Sequence, residues 1–329
     1  MSDRALWVAG DPAASEYRTR WISDALGDRL FYWLVAGAAF FVLIALSAAA
    51  LSMAWGGRAA LQTFGWRFFY GTEWDPVGKQ FAAFVPIYGT IVTSLLAMLI
   101  AVPISLGIAI FLTEVAPRWM RGPVGTAIEL LAGIPSIIYG MWGLFTFVPF
   151  MSDYVQPWLI GNFGPIPILG ALFDGAPMGI GMLTAGIILG IMVIPFITAV
   201  MRDVFLVVPA TLKESAYALG STRWEVVKDV VIPYTRTAVV GGIFLGLGRA
   251  LGETMAVTFV LGNAHNLSIS LMEPGNSIAA AIANEFTEAD SDLYLSSLIA
   301  LGFVLFIVTF IVLALAKLML QRIARQKGE

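Results

Sequence analysis

The chain has 329 residues, 59% of them hydrophobic and only 12% charged, with a formal net charge of -3 at pH 7. Soluble globular chains carry about a quarter charged residues, so this composition excludes an ordinary soluble domain, and the weak negative charge excludes a general affinity for nucleic acid. Cysteine is absent and His265 is the single histidine, which excludes a disulfide framework, thiolate metal sites and histidine clusters.

A helix crossing the hydrocarbon core needs about 20 mostly apolar residues. In chain order the sequence predicts such helices at 31–54, 86–113, 126–150, 179–201, 237–262 and 293–317. The expected fold is therefore an all-α integral membrane protein with six transmembrane helices. The expected organisation is a cytoplasmic segment 1–30, a transmembrane domain 31–320 and a cytoplasmic tail 321–329. The first apolar run ends in Ala48-Ala49-Ala50, which has the small residues of a cleavage site. However, it is longer than the apolar region of an export signal and follows a long segment with acidic residues, so a retained helix is expected.

The second span carries Pro103 and the fourth Pro195. The third reads Leu130-Leu131-Ala132-Gly133-Ile134-Pro135-Ser136 and then Tyr139-Gly140-Met141-Trp142-Gly143. Proline removes a backbone donor and kinks a helix, and glycine lets helices approach closely. Two readings fit: helices bent around a pathway, or ordinary close packing. No clear repeat relates the two halves of the chain.

Lysine and arginine cluster on one side of the membrane: Arg4, Arg18, Arg20, Arg29, Arg118, Arg121, Arg202, Lys213, Arg223, Lys228, Arg236, Lys317, Arg322, Arg325 and Lys327. The other side receives Arg58, Arg67 and Lys79. The positive-inside rule then predicts both termini in the cytoplasm, in agreement with an even number of spans. The outer loops are acidic (Glu73, Asp75, Asp153, Asp174, Glu273, Glu285, Glu288, Asp290, Asp292). They are expected to form a solvated rim, or a face that receives cargo from another protein. His265 is expected to be a solvated loop residue, and Glu129 an electrostatic cap at the start of the third span.

The segment 202–236 is too long for a simple connector. Thr211 with Glu214, and Thr222 with Glu225, each fit a capping box. Gly220 sits where a left-handed residue would end the first helix, and Pro233 is expected to end the second. The prediction is a two-helix hairpin over 208–233, with Leu212, Ala216 and Leu219 on one face. An apolar hairpin of this kind suits insertion into a groove on a partner, or packing against its own bundle.

Arg249 and Glu253 fall near the middle of the fifth predicted span. Arginine at the centre of a spanning helix costs about 2.5–3.5 kcal/mol on insertion scales, so it needs a partner or a function. Guanidinium can hold a tetrahedral oxyanion through two parallel hydrogen bonds, and a carboxylate can accept a proton-bearing oxygen of phosphate. The expected role is that Arg249 lines an anion path and Glu253 tunes it. The competing reading is a structural ion pair between them.

The hairpin supports a resemblance. Glu214-Ser215-Ala216, Gly220 and Val230-Val231-Ile232-Pro233 resemble the EAA loop of type I ABC importer permeases, with Ser215 where the family has alanine. Further stretches are similar to the permeases of phosphate-specific ABC importers. These are Glu73-Trp74-Asp75-Pro76, Pro86 to Ser94, Ala101-Val102-Pro103, Ile128 to Ser136 and Gly248-Arg249-Ala250-Leu251-Gly252-Glu253-Thr254. The similarity runs from about Phe64 through the last span.

The resemblance implies that Glu214, Ala216 and Gly220 couple the chain to a cytoplasmic dimer of ATP-binding subunits. It also implies a second permease, an external phosphate-binding protein and a bacterial inner-membrane location. No glycine-rich phosphate loop ending in Lys-Ser or Lys-Thr occurs. The chain is thus expected to bind no ATP or other cofactor itself, with ATP held by a partner, and not to be an enzyme. Permeases for molybdate or sulfate fit the same loop. A self-sufficient secondary transporter would show more intramembrane carboxylates.

Overall fold

The computed structural model describes residues 12–167 and 169–325, and side chains from Leu26 to Arg322 apart from Ile168. Arg4 and Lys327, and the side chains of Arg18, Arg20 and Arg325, lie outside that description. Among the described residues the protein is helical throughout, with only two isolated bridges, Asp75 to Gln80 and Gly262 to Gly275. Five helices are long and apolar enough to cross a bilayer, or six if the bent pair Arg118–Ala132 and Ser136–Phe163 forms one broken span.

The chain divides into two compact units, after Met53. The first unit belongs to a single helix, Pro12–Gly56. From Leu30 onward it carries no charged residue and is largely apolar on every side, as befits a helix surrounded by lipid. The expected boundary at residue 30 falls inside this helix, and the one at 320 falls inside Asp292–Arg325, so neither coincides with a break in the backbone.

The second unit is organised on two spans. Phe84–Ile110, extended by a π-helical turn Phe111–Val115, packs along Met182–Leu206. Ala97, Ala101, Ala185, Ile188, Leu189, Val193 and Ile197 are fully buried along this seam. A Cβ on Gly186 would stand 2.7 Å from Cβ of Leu96, and one on Gly190 would stand 3.2 Å from the Ala97 carbonyl oxygen. Lipid removes the hydrophobic drive between helices, so close backbone approach through small residues holds such a seam together. Pro103 and Pro195 sit inside these two helices. The Ser105 hydroxyl crosses the seam to donate to the Ile194 carbonyl at 3.1 Å.

The fifth span departs from expectation. The helical path is continuous from Arg223 through a π-helical segment Val226–Val231 into Ile232–Leu251. Pro233 therefore does not end the second hairpin helix. The wider π turn shifts the hydrogen-bond register just before the proline, so its missing N–H is accommodated without a stop. At the other end the predicted span 237–262 is interrupted: Ile232–Leu251 stops at Gly252, and a separate helix Met255–Leu261 follows.

The third span is likewise broken rather than kinked. Arg118–Ala132 and Ser136–Phe163 meet at 87°, so the expected helix 126–150 contains the corner. Gly133 terminates the first piece, and Pro135, which cannot donate, opens the second.

A second core lies around the last span. Ala60, Phe68, Phe81, Tyr294, Leu298 and Leu301 are buried together. The Ser296 hydroxyl accepts from Ala60 N–H at 3.1 Å and donates to the Gly56 carbonyl at 2.9 Å. Gly89 joins this core to the seam: a Cβ there would overlap the Asn276 carbonyl. Overpacking of this kind costs about 1–3 kcal/mol. The Gly89→Ala variant is expected to unfold at a lower temperature in detergent than the parent, as followed by a thermal melt, and an unchanged melting temperature would contradict the close approach.

Candidate functional site: a coupling hairpin and a charged helix break

The hairpin begins at Pro209, which precedes the helix Ala210–Ala218. The first expected capping box is absent. Thr211 lies already inside the first turn, where its carbonyl accepts from the Ser215 hydroxyl at 2.7 Å. Proline supplies the entry instead, since its fixed φ suits a chain turning into a helix.

The corner forms as the sequence requires. Gly220 adopts φ +91°. Its N–H donates to the Tyr217 carbonyl at 3.0 Å, and the Ser221 N–H donates to the Ala216 carbonyl at 3.1 Å. These two bonds constitute a Schellman closure, which needs a left-handed residue at the glycine. The second capping box is complete. The Thr222 hydroxyl accepts from the Glu225 N–H at 3.3 Å, and the Glu225 carboxylate accepts from the Thr222 N–H at 2.7 Å.

The predicted common face of the first hairpin helix is split. Ala216 packs against the bundle core, whereas Leu219 is 89% exposed and Leu212 is 43% exposed. Glu214 and Gly220 are exposed as well. With Tyr217 and Trp224, also exposed, they make a projecting surface of apolar and acidic side chains.

Two ion pairs near the hairpin were not foreseen. Lys213 Nζ stands 2.6 Å from Glu114 Oε1, with side chains 18% and 7% exposed. Arg202 stands 2.9 Å from Glu129. Glu129 is thus no N-terminal cap: it lies in the last turn of Arg118–Ala132, where it meets a cation from the fourth span. Gly125 leaves the space that the Arg202 guanidinium occupies.

Arg249 and Glu253 sit on either side of the break at Gly252. They form no ion pair with each other among the described residues. Glu253 Oε1 instead accepts from the Ala256 N–H at 3.3 Å, capping Met255–Leu261. The Arg249 side chain is exposed within this chain, with its guanidinium 5.4 Å from the Phe196 ring centre. The break lies against the third span, because Gly140 meets the Met255 carbonyl and the Phe259 ring, each 2.8 Å from where a Cβ would be. The structure therefore brings the break in the fifth span against the helix that follows the break in the third, and among the described residues no carboxylate pairs with the arginine.

At the end of the bundle away from the hairpin, His265 is not a solvated loop residue. Its ring stacks on Trp74 at 5.0 Å, and Nε2 lies 2.6 Å from Glu285 Oε1. Trp74 and Tyr294 both donate to Glu285 Oε2, at 2.7 and 2.6 Å. Burial pushes the Glu285 carboxyl up, but hydrogen bonds from His265, Tyr294 and Trp74 and the imidazole charge hold it below the usual carboxylate range. Glu285 is thus the anchor of three outer segments rather than part of an acidic rim.

Residues 101–325 match the family of binding-protein-dependent transport system inner membrane components. The chain belongs to that family. Among its relatives, the phosphate transport system permease protein PstC of Xylella fastidiosa is 65% identical over 307 residues, 93% of this chain and 94% of the relative. PstC of Haemophilus influenzae is 53% identical over 302 residues, 92% and 96% of the two chains. A probable PstC of Methanocaldococcus jannaschii is 40% identical over 259 residues, 77% and 81% of the two chains.

Solved structures show the fold of this permease. A chain of a bacterial alginate ABC transporter in complex with alginate pentasaccharide-bound periplasmic protein aligns with TM-score 0.55 at 19% identity, covering 92% of this chain and 97% of that one. A chain of the inward-facing MetNI methionine ABC transporter aligns with TM-score 0.54 at 16% identity, covering 72% and 94%. The fold is that of type I ABC importer permeases.

The left-handed corner gives a direct check on the hairpin. A side chain other than glycine or asparagine in that region costs about 1–2 kcal/mol. Gly220→Val is expected to lower the amount of ATPase that co-purifies with the permease, and Gly220→Asn to lower it less. Equal retention by both variants and the parent would contradict a role for the corner geometry.

Proposed function

We propose that the chain is the transmembrane permease subunit of an ATP-driven importer of inorganic phosphate. It forms the translocation path with a second permease and is driven by a separate pair of ATP-binding subunits, with phosphate delivered by an external binding protein. Both termini lie in the cytoplasm, and the chain contributes no ATPase chemistry and holds no cofactor. The names of the relatives support phosphate as cargo, and the fold supports the division of labour.

The single observation that carries the reading is the position of Arg249. It lies near the end of a helix that starts in the hairpin at Arg223. It is exposed, it has no carboxylate partner among the described residues, and it stands beside the meeting of two broken helices. Irregular backbone at membrane depth is tolerated where it is packed in protein or lines a cavity. An unpaired guanidinium there is satisfied by an anion, or by water that the anion displaces. Glu253 fixes the break by capping the helix beyond it. Its second carboxylate oxygen can accept from a protonated phosphate oxygen, a bond that fully ionised sulfate cannot offer.

Hairpin and pathway belong to one helix. Closure of the ATPases displaces the projecting surface of Glu214, Tyr217, Leu219, Gly220 and Trp224, while Ala216 keeps the first hairpin helix seated on the bundle. The displacement then passes along Arg223–Leu251 to the arginine.

The test is phosphate uptake into liposomes by the complete complex, with phosphate, sulfate and molybdate binding proteins compared. Arg249→Ala is expected to lower phosphate uptake at least about tenfold, the loss of one charge-assisted contact, while all subunits still co-purify. Normal uptake by that variant would overturn the role of Arg249. Uptake driven equally well by the sulfate or molybdate protein would overturn the cargo.

A further inference from the structure

We propose that Glu114 and Lys213 are a positioning pair that carries displacement of the hairpin to the corner between the second and third spans. This rests on the hairpin being the ATPase contact. Lys213 immediately precedes Glu214 on the first hairpin helix, yet the two face differently: Lys213 is turned inward and 18% exposed, while Glu214 is exposed. Glu114 is only 7% exposed and receives the ammonium at 2.6 Å.

Glu114 lies in the π-helical turn Phe111–Val115, which ends the second span. The backbone extends at Ala116, with ψ 141°, and the third span opens at Arg118. The Arg121 guanidinium closes that corner by donating to the Ala116 carbonyl at 2.8 Å. A pull on Glu114 is thus a pull on the corner and on the broken third span beyond it.

Desolvating two charges is costly, and a buried pair persists only with close geometry. A neutral pair of similar shape would hold the hairpin to the bundle equally well. What a charged pair adds is a directional tie that resists separation across a hairpin otherwise seated through small apolar contacts. The hairpin then has two outputs: a covalent one along Arg223–Leu251 to Arg249, and an ionic one to the second and third spans. Arg202 and Glu129 join the fourth span to the third nearby, but with Glu129 54% exposed. The buried pair is therefore the stiffer tie.

The test uses the complete complex in liposomes and reads phosphate imported per ATP hydrolysed, alongside the subunit content of the purified complex. Glu114→Gln and Lys213→Met are expected to keep the ATPases bound and hydrolysing, while phosphate imported per ATP falls about tenfold, within the range for coupling carried by single residues. Lys213→Arg keeps the charge and is expected to stay within about twofold of the parent. The exchange of E114K with K213E is expected to recover at least half of the loss.

A parental phosphate-to-ATP ratio in both single variants would overturn the proposal. So would loss of the ATPases from the single variants, since the pair would then serve docking, and so would an exchange that recovers nothing while Lys213→Arg is also inactive. Failure of the parent complex to retain ATPase at all would instead remove the reading of the hairpin on which the proposal rests.

Discussion

The helix Arg223–Leu251 runs for 29 residues, about 43 Å at the α-helical rise. It starts at the capping box of the hairpin and ends at the break beside Arg249. Everything else in the second unit either holds this rod or uses it. A proline near its hairpin end would ordinarily interrupt it, and the π-helical segment Val226–Val231 prevents that. The rod is thus one mechanical element between the projecting hairpin surface and Arg249, the two sites that the proposed function assigns to a motor and an anion.

The rod needs a fixed reference. The seam between the second and fourth spans supplies it, because its small residues bring two backbones into contact and leave little room for sliding. Gly246 of the rod sits on this seam, with a Cβ position 2.6 Å from the Ile197 side chain. That contact lies about four-fifths of the way along the rod, so the rod is held near its Arg249 end. The outer cluster on Glu285 holds the opposite face together. It ties the loop at Trp74, the segment at His265 and the start of the last span at Tyr294 into one block.

What the sequence disclosed was local. Gly220 and the Thr222 to Glu225 box depend on bonds within a few residues, and both formed as read. The resemblance in the hairpin and around Arg249 pointed to the family that the relatives then established. Contacts between distant segments were not legible. Lys213 and Glu114 are 99 residues apart, and nothing in either neighbourhood names the other. His265 was misread because Trp74, the ring it stacks on, lies 191 residues earlier in the chain, although Glu285 is only 20 residues on. Pro135 and Pro233 show the limit of a local rule. The same missing N–H opens a new helix after the corner at Gly133 in one case and is absorbed within a continuous path in the other, where Val226–Val231 supplies a change of hydrogen-bond register. Glu129 was misplaced for a related reason: the third span begins earlier than its apolar run, so a residue read as an opening turn lies in a closing one.

The central claim is that the hairpin and the pathway arginine move as one rigid helix. The chain has no cysteine, so single labels can be placed without background. Trp224 and Leu245 both lie on the rod with exposed side chains. A pulsed electron-spin distance between labels at these two positions, measured in the full complex without nucleotide and with ATP trapped, tests the claim most directly. The rod predicts about 30 Å in both states with a change under about 2 Å, whereas a change of more than about 5 Å would show a hinge inside the helix and contradict it.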